Sequence, residues 1–321
     1  MAFSFINKLN DAVAKVGNSI PKAASTPQTT ATPQTTTTPK EVDQNKVEPP
    51  KLQFHEVFIH PDDKIASDKF KALPLFDTVV SKFMDSGLDQ AIHMHNMTSF
   101  MRISSNQLPT LYERTVNICT KLKIDVPELF LDLSSDTPAH ASGLKQTTLV
   151  FGKSLLEYQD DANVLDTVIA HECGHIFCRN CMYRTFVTYF DAFGGKFGDL
   201  LGGALTPIKM AMNYWYRKSE LSADRVAATV CGSANTVIEA QLNLANTSKW
   251  LVNNANIEAW ANQIDEIKSD ASTTEGIVQN ILAITNKHTI SALRVRELLK
   301  WGKTDNFTQI KAKLDSGEFD F

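Results

Sequence analysis

The chain has 321 residues, of which 43% are hydrophobic and 21% charged, and its formal net charge at pH 7 is -4. These values are typical of one soluble globular domain with additional segments. They argue against a nucleic-acid-binding protein, because the chain contains neither a strongly basic stretch nor a nucleic-acid recognition motif.

The first 50 residues divide into two segments. Residues 1–20 place apolar side chains at helical spacing, but Lys8, Asp11 and Lys15 interrupt them, which excludes a signal peptide or a spanning helix. Residues 21–50 contain six of the twelve prolines, eight threonines and no aromatic residue, which predicts a disordered linker. The predicted amphipathic helix could dock to a membrane surface, to a protein partner or to the catalytic domain, or it could have no function.

Two short apolar runs, residues 127–135 and 147–152, predict β-strands. A helix is predicted to follow them, beginning at the acidic pair 160–161, which is suited to an N-cap and a first turn. Its apolar side chains recur at three- and four-residue steps, which predicts a face toward the core. That predicted core face consists of Val164, Leu165, Val168, Cys173 and Ile176.

The same helix contains a motif that indicates a metal site, His171-Glu172-Cys173-Gly174-His175. Residues four apart lie on one helix face, so His171 and His175 can bind one metal ion while Glu172 accepts a proton from a water molecule. We expect the histidines on a polar face, separate from the core face. The alternative is a pair of surface histidines beside a solvated glutamate. Gly174 argues against it, because an interior glycine costs about 1 kcal/mol relative to alanine and usually marks a close approach by another element.

The residues after the motif include Cys178 and Cys181, two of five cysteines. An odd number without an export signal fits a reducing cytoplasm. On a continuing helix the pair would be buried structural thiols, and a redox switch is the alternative. Residues 186–216 are rich in apolar side chains, but charged residues interrupt them. We therefore predict a helical hairpin in a soluble protein rather than two membrane-spanning helices.

A third metal ligand is expected from Glu220, which lies four residues before Asp224 on a predicted helix. A catalytic zinc ion needs three protein ligands and one open position. Asp224 would then accept the outward N–H of a ligand histidine. The alternative is a surface helix on which Glu220 pairs with Arg217 or Arg225.

These two motifs, the second within Ser-Glu-Leu-Ser-Ala-Asp-Arg, resemble those of the zinc metallopeptidase family that includes the CAAX prenyl endopeptidases and the HtpX-type proteases. The similarity extends from about His60 to Trp301. It includes His60-Pro61-Asp62-Asp63, Pro109-Thr110-Leu111-Tyr112 and Val126-Pro127-Glu128-Leu129-Phe130. The resemblance implies an α+β, mainly α, zincin-like catalytic domain over residues 51–321, with a small sheet beside the active-site helix.

The resemblance also implies roles for residues outside the two motifs. Ala139, His140 and Ala141 correspond to an edge strand that binds the substrate backbone, although the family's Asn-Ala pair is replaced here. His288 and Arg294 correspond to donors that stabilise an oxyanion, with Thr289 in place of the family's proline. Without the resemblance, His288 and Arg294 would more often be expected to cap a helix or to lie on its solvent-exposed face.

The function expected from the sequence is therefore a cytoplasmic zinc endopeptidase that binds one zinc ion per chain and acts on proteins or peptides. Residues 1–20 could attach this enzyme to the periphery of a membrane. One rival function is a catalytically silent binding or regulatory protein with the same fold. The other is an adaptor that acts through its N-terminal helix.

Overall fold

The computed structural model describes residues 53–189, 205–245, 249–267 and 291–319. The predicted helix at 1–20, the predicted linker at 21–50 and His288 lie outside these ranges. The central part of the predicted hairpin, residues 190–204, does so as well.

The described part of the chain is mainly helical, with one small sheet, as predicted. Its α-helices are α1 (Pro61–Lys71), α2 (Phe76–Met84), α3 (Leu88–Ser99), α4 (Pro109–Leu122), α5 (Ala162–Phe177), α6 (Leu205–Cys231), α7 (Ala234–Leu244), α8 (Lys249–Asn254), α9 (Ile257–Ile267), α10 (Ala292–Gly302) and α11 (Asp305–Ser316). Residues 181–189 are also helical, and 3₁₀ turns occupy Phe54–Phe58 and Lys153–Tyr158.

The sheet has four strands in the order β1-β2-β4-β3, with β1 at Met101–Arg102, β2 at Glu128–Asp132, β3 at Ala139–Ser142 and β4 at Thr148–Gly152. Strands β2 and β4 are parallel and are the two strands that the sequence predicted, whereas β1 and β3 pair antiparallel at the two edges. Strand β3 packs against α5, so one edge of the sheet lies beside the helix that contains the histidine motif.

Helix α5 begins where the sequence predicted. The side chain of Asp161 accepts hydrogen bonds from the amides of Asn163 and Val164 and so caps the helix. The expectation of a separate polar face was wrong, because α4, α6, α7 and β3 surround the helix. Both histidines and Glu172 are buried, and Ile176, predicted for the core, is only half-buried.

Helices α5 and α6 pack closely together at Gly174. A Cβ atom added there would lie 3.1 Å from the Cα and carbonyl oxygen of Ala223 and 3.1 Å from Cβ of Val226. This contact confirms that the interior glycine of the motif marks a close approach by another element. It also brings residues 171–175 of α5 next to residues 220–224 of α6.

Helix α1 holds α6 in place through a buried carboxylate. Asp63 is 2% exposed and accepts hydrogen bonds from the indole N–H of Trp215 at 2.7 Å and from the hydroxyl of Ser222 at 2.5 Å. The backbone N–H of His60 donates to the same hydroxyl at 2.9 Å. A buried carboxylate is stable only when it is hydrogen-bonded, so this group fixes α6 on either side of Glu220.

The sequence suggested a helix that continues through Cys178 and Cys181. Instead, the chain turns sharply after α5. Cys178 caps the helix, and Arg179 adopts a left-handed conformation with φ 58°. Both Cys178 and Cys181 are free thiols, and both are buried, as predicted. Burial raises the pKa of Cys178 well above its ordinary value and that of Cys181 to about 12, which disfavours the reactive thiolate needed for a redox switch.

The described residues contain no helix that is both long and apolar enough to cross a membrane. Within the predicted hairpin, residues 186–189 are helical and α6 begins at Leu205, on either side of the part that is not described.

Candidate active site

Three buried side chains from two helices form the centre of the site. His171 and His175 come from α5 and Glu220 from α6, and one ligand atom from each lies within 4.8 Å of the others. Nε2 of His171 is 3.3 Å from Oε2 of Glu220, and Nε2 of His175 is 3.6 Å from Oε1 of the same carboxylate. The sequence predicted this set of residues, and the structure brings them together.

The environment of His175 indicates that a metal ion fits here. His175 has no exposed surface, and neither of its ring nitrogens has a hydrogen-bond partner among the described residues. Burial and the guanidinium of Arg184 lower the pKa of His175 well below its ordinary value, so the ring is neutral. A neutral buried imidazole without partners is unusual in a folded protein, and neutral imidazole is also the form that binds zinc.

His171 lies beside Asp224, the residue expected to accept its outward N–H. Its Nδ1 lies 3.0 Å from Oδ1 of Asp224. Burial lowers the pKa of His171, but the carboxylates of Asp224 and Glu220 outweigh burial and raise that pKa to about 9. Metal binding would therefore displace a proton from this ring.

Arg294, on α10, binds both oxygens of the Asp224 carboxylate. Its Nε donates to Oδ2 at 2.8 Å and its Nη2 donates to Oδ1 at 2.6 Å, and its Nη1 lies 3.5 Å from Oε2 of Glu220. Although burial acts in the opposite direction, the Arg294 guanidinium holds the pKa of Asp224 well below its usual range. The alternative of a solvated or capping arginine is therefore wrong. The alternative of a surface helix is wrong for the same reason, because Glu220 and Asp224 are both buried.

The second residue of the motif, Glu172, points to the edge of the sheet. Its Oε2 accepts a hydrogen bond from the backbone N–H of Ala141 on β3 at 2.7 Å. Burial raises the pKa of Glu172 above its ordinary value, and the charges of His171 and Arg184 partly oppose this. A carboxyl group with a raised pKa is better suited to exchange a proton near neutral pH.

Strand β3 contains the three residues expected to contact substrate. Ala139 and Ala141 are buried, whereas His140 is half-buried. Burial, followed by the guanidinium of Arg184, lowers the pKa of His140. The strand is held at its end because the backbone N–H of Gly143 donates to the hydroxyl of Thr185 at 2.8 Å.

Sequence analysis missed Arg184. This side chain is 2% exposed, and its Nη1 donates to Oε1 of Glu220 at 2.6 Å. A signal was available, because Arg184 is the one charged residue in the apolar helical segment 181–189. A buried charge requires a partner, but the sequence does not indicate that the partner is the candidate metal ligand Glu220, 36 positions away.

A mainly helical fold with a small four-stranded sheet, together with a buried His-His-Glu cluster and an adjacent glutamate, defines a zincin-like metallopeptidase. Comparison with known families agrees, and the chain belongs to peptidase family M48, whose sequence profile matches residues 106–302. One relative is the "Plastoglobule-localized metallopeptidase 48, chloroplastic" of Arabidopsis thaliana, which is 26% identical over 265 residues, covering 79% of this chain and 76% of the relative. No solved structure matches the chain significantly.

Proposed function

We propose that this metallopeptidase is a zinc-dependent endopeptidase whose metal ligands are His171, His175 and Glu220. The observation that supports the proposal is the convergence of these three buried ligands beside Glu172. Two imidazoles and one carboxylate are a typical zinc set for peptide hydrolysis. A zinc ion held there supplies Lewis acidity, which activates water and polarises a peptide carbonyl.

Glu172 is the proposed general base. It accepts a proton from the attacking water and then donates that proton to the leaving amine. The hydrogen bond from Ala141 restrains the Glu172 carboxylate in one orientation, and burial keeps its pKa above that of an exposed glutamate.

Asp224 and Arg294 are proposed to position the ligands. Asp224 orients the His171 ring, and the two-pronged contact from Arg294 keeps Asp224 ionised and fixed. Because two nitrogens of Arg294 donate to Asp224, positioning is the role that we assign to it. The oxyanion donor expected at His288 remains a prediction.

The substrate is proposed to bind as an added strand along β3. Ala139, His140 and Ala141 lie in an edge strand, and the amide of Ala141 points to Glu172, away from the neighbouring strand. Pairing of this kind recognises the peptide backbone, so it favours extended or unfolded substrates over a particular sequence.

The test of this function is hydrolysis by the purified full-length chain. We expect new peptide ends, identified by mass spectrometry, when the protein is incubated with a denatured proteome. Prolonged dialysis against a chelator should stop cleavage, and one equivalent of zinc should restore it, because three protein ligands hold a single ion. A zinc-loaded, folded chain that releases no peptides would favour a catalytically silent protein of the same fold.

Replacing Asp224 by Asn should lower zinc affinity or peptide hydrolysis by about 10- to 100-fold, because the neutral amide no longer supports His171 or balances Arg294. Competition with a chromophoric chelator measures the affinity. Asp166→Asn is a matched control, since Asp166 lies in the first half of α5 and pairs with Arg114 of α4. Equal affinity in Asp224→Asn and wild type would show that Asp224 does not position the histidine.

A further inference from the structure

Helix α7 folds back onto the site because the chain reverses direction directly after α6. Gly232 adopts a left-handed conformation with φ 78°, which favours glycine. The hydroxyl of Ser233 then accepts a hydrogen bond from the backbone N–H of Thr236 and caps α7. The helix packs against α5, α6 and α10, the three helices that contain the candidate ligands, Asp224 and Arg294. Side chains on the inward face of α7 can therefore reach the site.

One polar residue interrupts this inward face. Positions 234, 237, 238 and 241 recur at three- and four-residue steps, so they share one side of the helix. The first three are Ala234, Val237 and Ile238, all buried, whereas the fourth is Gln241. Its Oε1 atom is buried and has no hydrogen-bond partner among the described residues. An unpaired buried amide oxygen is costly, and an apolar side chain at this position would avoid that cost. This placement indicates that the other end of the amide has a task.

The nitrogen of the Gln241 amide contacts Asp224. Nε2 donates to Oδ1 of Asp224 at 3.0 Å. Arg294 of α10 donates to both oxygens of the same carboxylate, and Nδ1 of His171 on α5 lies 3.0 Å from Oδ1. The carboxylate of α6 is thus contacted from three other helices, and Gln241 provides the contact from α7.

We propose that Gln241 is a positioning residue that keeps the Asp224 carboxylate beside Nδ1 of His171, so that the His171 ring is oriented for metal binding. Arg294 alone holds the carboxylate from the side of α10, and the hydrogen bond from α7 adds a second direction of restraint. The inference rests on the proposed function, since it takes His171 as a metal ligand. Gln241 acts through Asp224, and this dependence is what the experiment tests.

The experiment measures the zinc affinity of the full-length chain by competition with a chromophoric chelator. Gln241→Met removes the donor and keeps most of the side-chain volume. Asn243→Leu is the matched control, because it also replaces a half-buried amide of α7 by an apolar side chain, but on a different face of the helix.

We expect Gln241→Met to bind zinc about 10-fold more weakly than wild type, at the lower end of the effect of Asp224→Asn, because Arg294 still holds the carboxylate. Asn243→Leu should have the affinity of wild type. The midpoint of thermal unfolding should be unchanged or raised in Gln241→Met, since the substitution removes an unpaired buried oxygen. A purely structural role predicts the reverse, a lower midpoint with unchanged zinc affinity.

A double-mutant cycle shows whether Gln241 acts through Asp224. In the Asp224→Asn background, Gln241→Met should weaken zinc binding no further, because the carboxylate that it positions is already absent. An equal loss of affinity in both backgrounds would overturn the proposal.

A folded Gln241→Met protein with the zinc affinity of wild type would also overturn the proposal. If that variant does not fold, Gln241→Leu, which lacks the donor as well, decides the question by the same measurement. Failure of wild type itself to bind zinc would instead contradict the ligand assignment on which the proposed function depends, so the two failures are distinguishable.

Discussion

Replacing Glu172 by Gln should abolish peptide hydrolysis while the protein keeps its metal. Glutamine retains the volume and can still accept the hydrogen bond from Ala141, but it cannot take a proton from water. Loss of a general base typically lowers the rate by about 100- to 10,000-fold. Release of peptides from a denatured proteome measures the rate, and elemental analysis of the same sample measures zinc.

Glu113→Gln provides the control for Glu172→Gln, because Glu113 is exposed on α4 and far along the chain from both motifs. It should cleave at the wild-type rate. Hydrolysis in Glu172→Gln at more than about a tenth of the wild-type rate would contradict the assignment of Glu172 as the base, given the size of effect expected.

Each of the substitutions His171→Ala, His175→Ala and Glu220→Ala should reduce bound zinc from one ion per chain to a small fraction. A site with three protein ligands has none to spare, and activity should disappear with the metal. His95→Ala, which removes a histidine from α3, should retain one zinc ion.

Metal content in these variants has to be measured on folded protein, since Glu220→Ala also leaves the buried Arg184 without the carboxylate that it contacts. Circular dichroism reports the fold independently of the metal. A folded Glu220→Ala protein that holds a full equivalent of zinc would show that the third ligand is a different residue.

The grouping of the candidate metal ligands could be predicted from sequence because their geometry is local. The spacing of His171 and His175 on one helix, and that of Glu220 and Asp224 on another, fixes which side chains share a face. Gly174 supplied the remaining information, since it indicated a close approach that the structure locates at Ala223. The two strands before α5 were predicted for the same reason, because a short apolar run is a local property.

The burial of the site could not be predicted, because it depends on what surrounds α5. A helix with histidines and a glutamate on one side has the pattern of a solvated face, and only packing by α6, α7 and β3 converts that side into an interior. Arg184 was missed because its position depends on a left-handed turn at Arg179. A non-glycine residue in that conformation has no distinctive sequence signal.

The depth of the ligands also determines how fast a metal ion can be exchanged. His175 has no exposed surface and Glu220 is 2% exposed, whereas His171 is 8% exposed. An ion therefore enters or leaves past His171, or after α5 and α6 separate locally, which is rare in a closely packed interior. Exchange is then slower than at a surface site of equal affinity. Removal of a bound ion would therefore need prolonged dialysis against a chelator, and reloading with zinc would need a correspondingly long incubation.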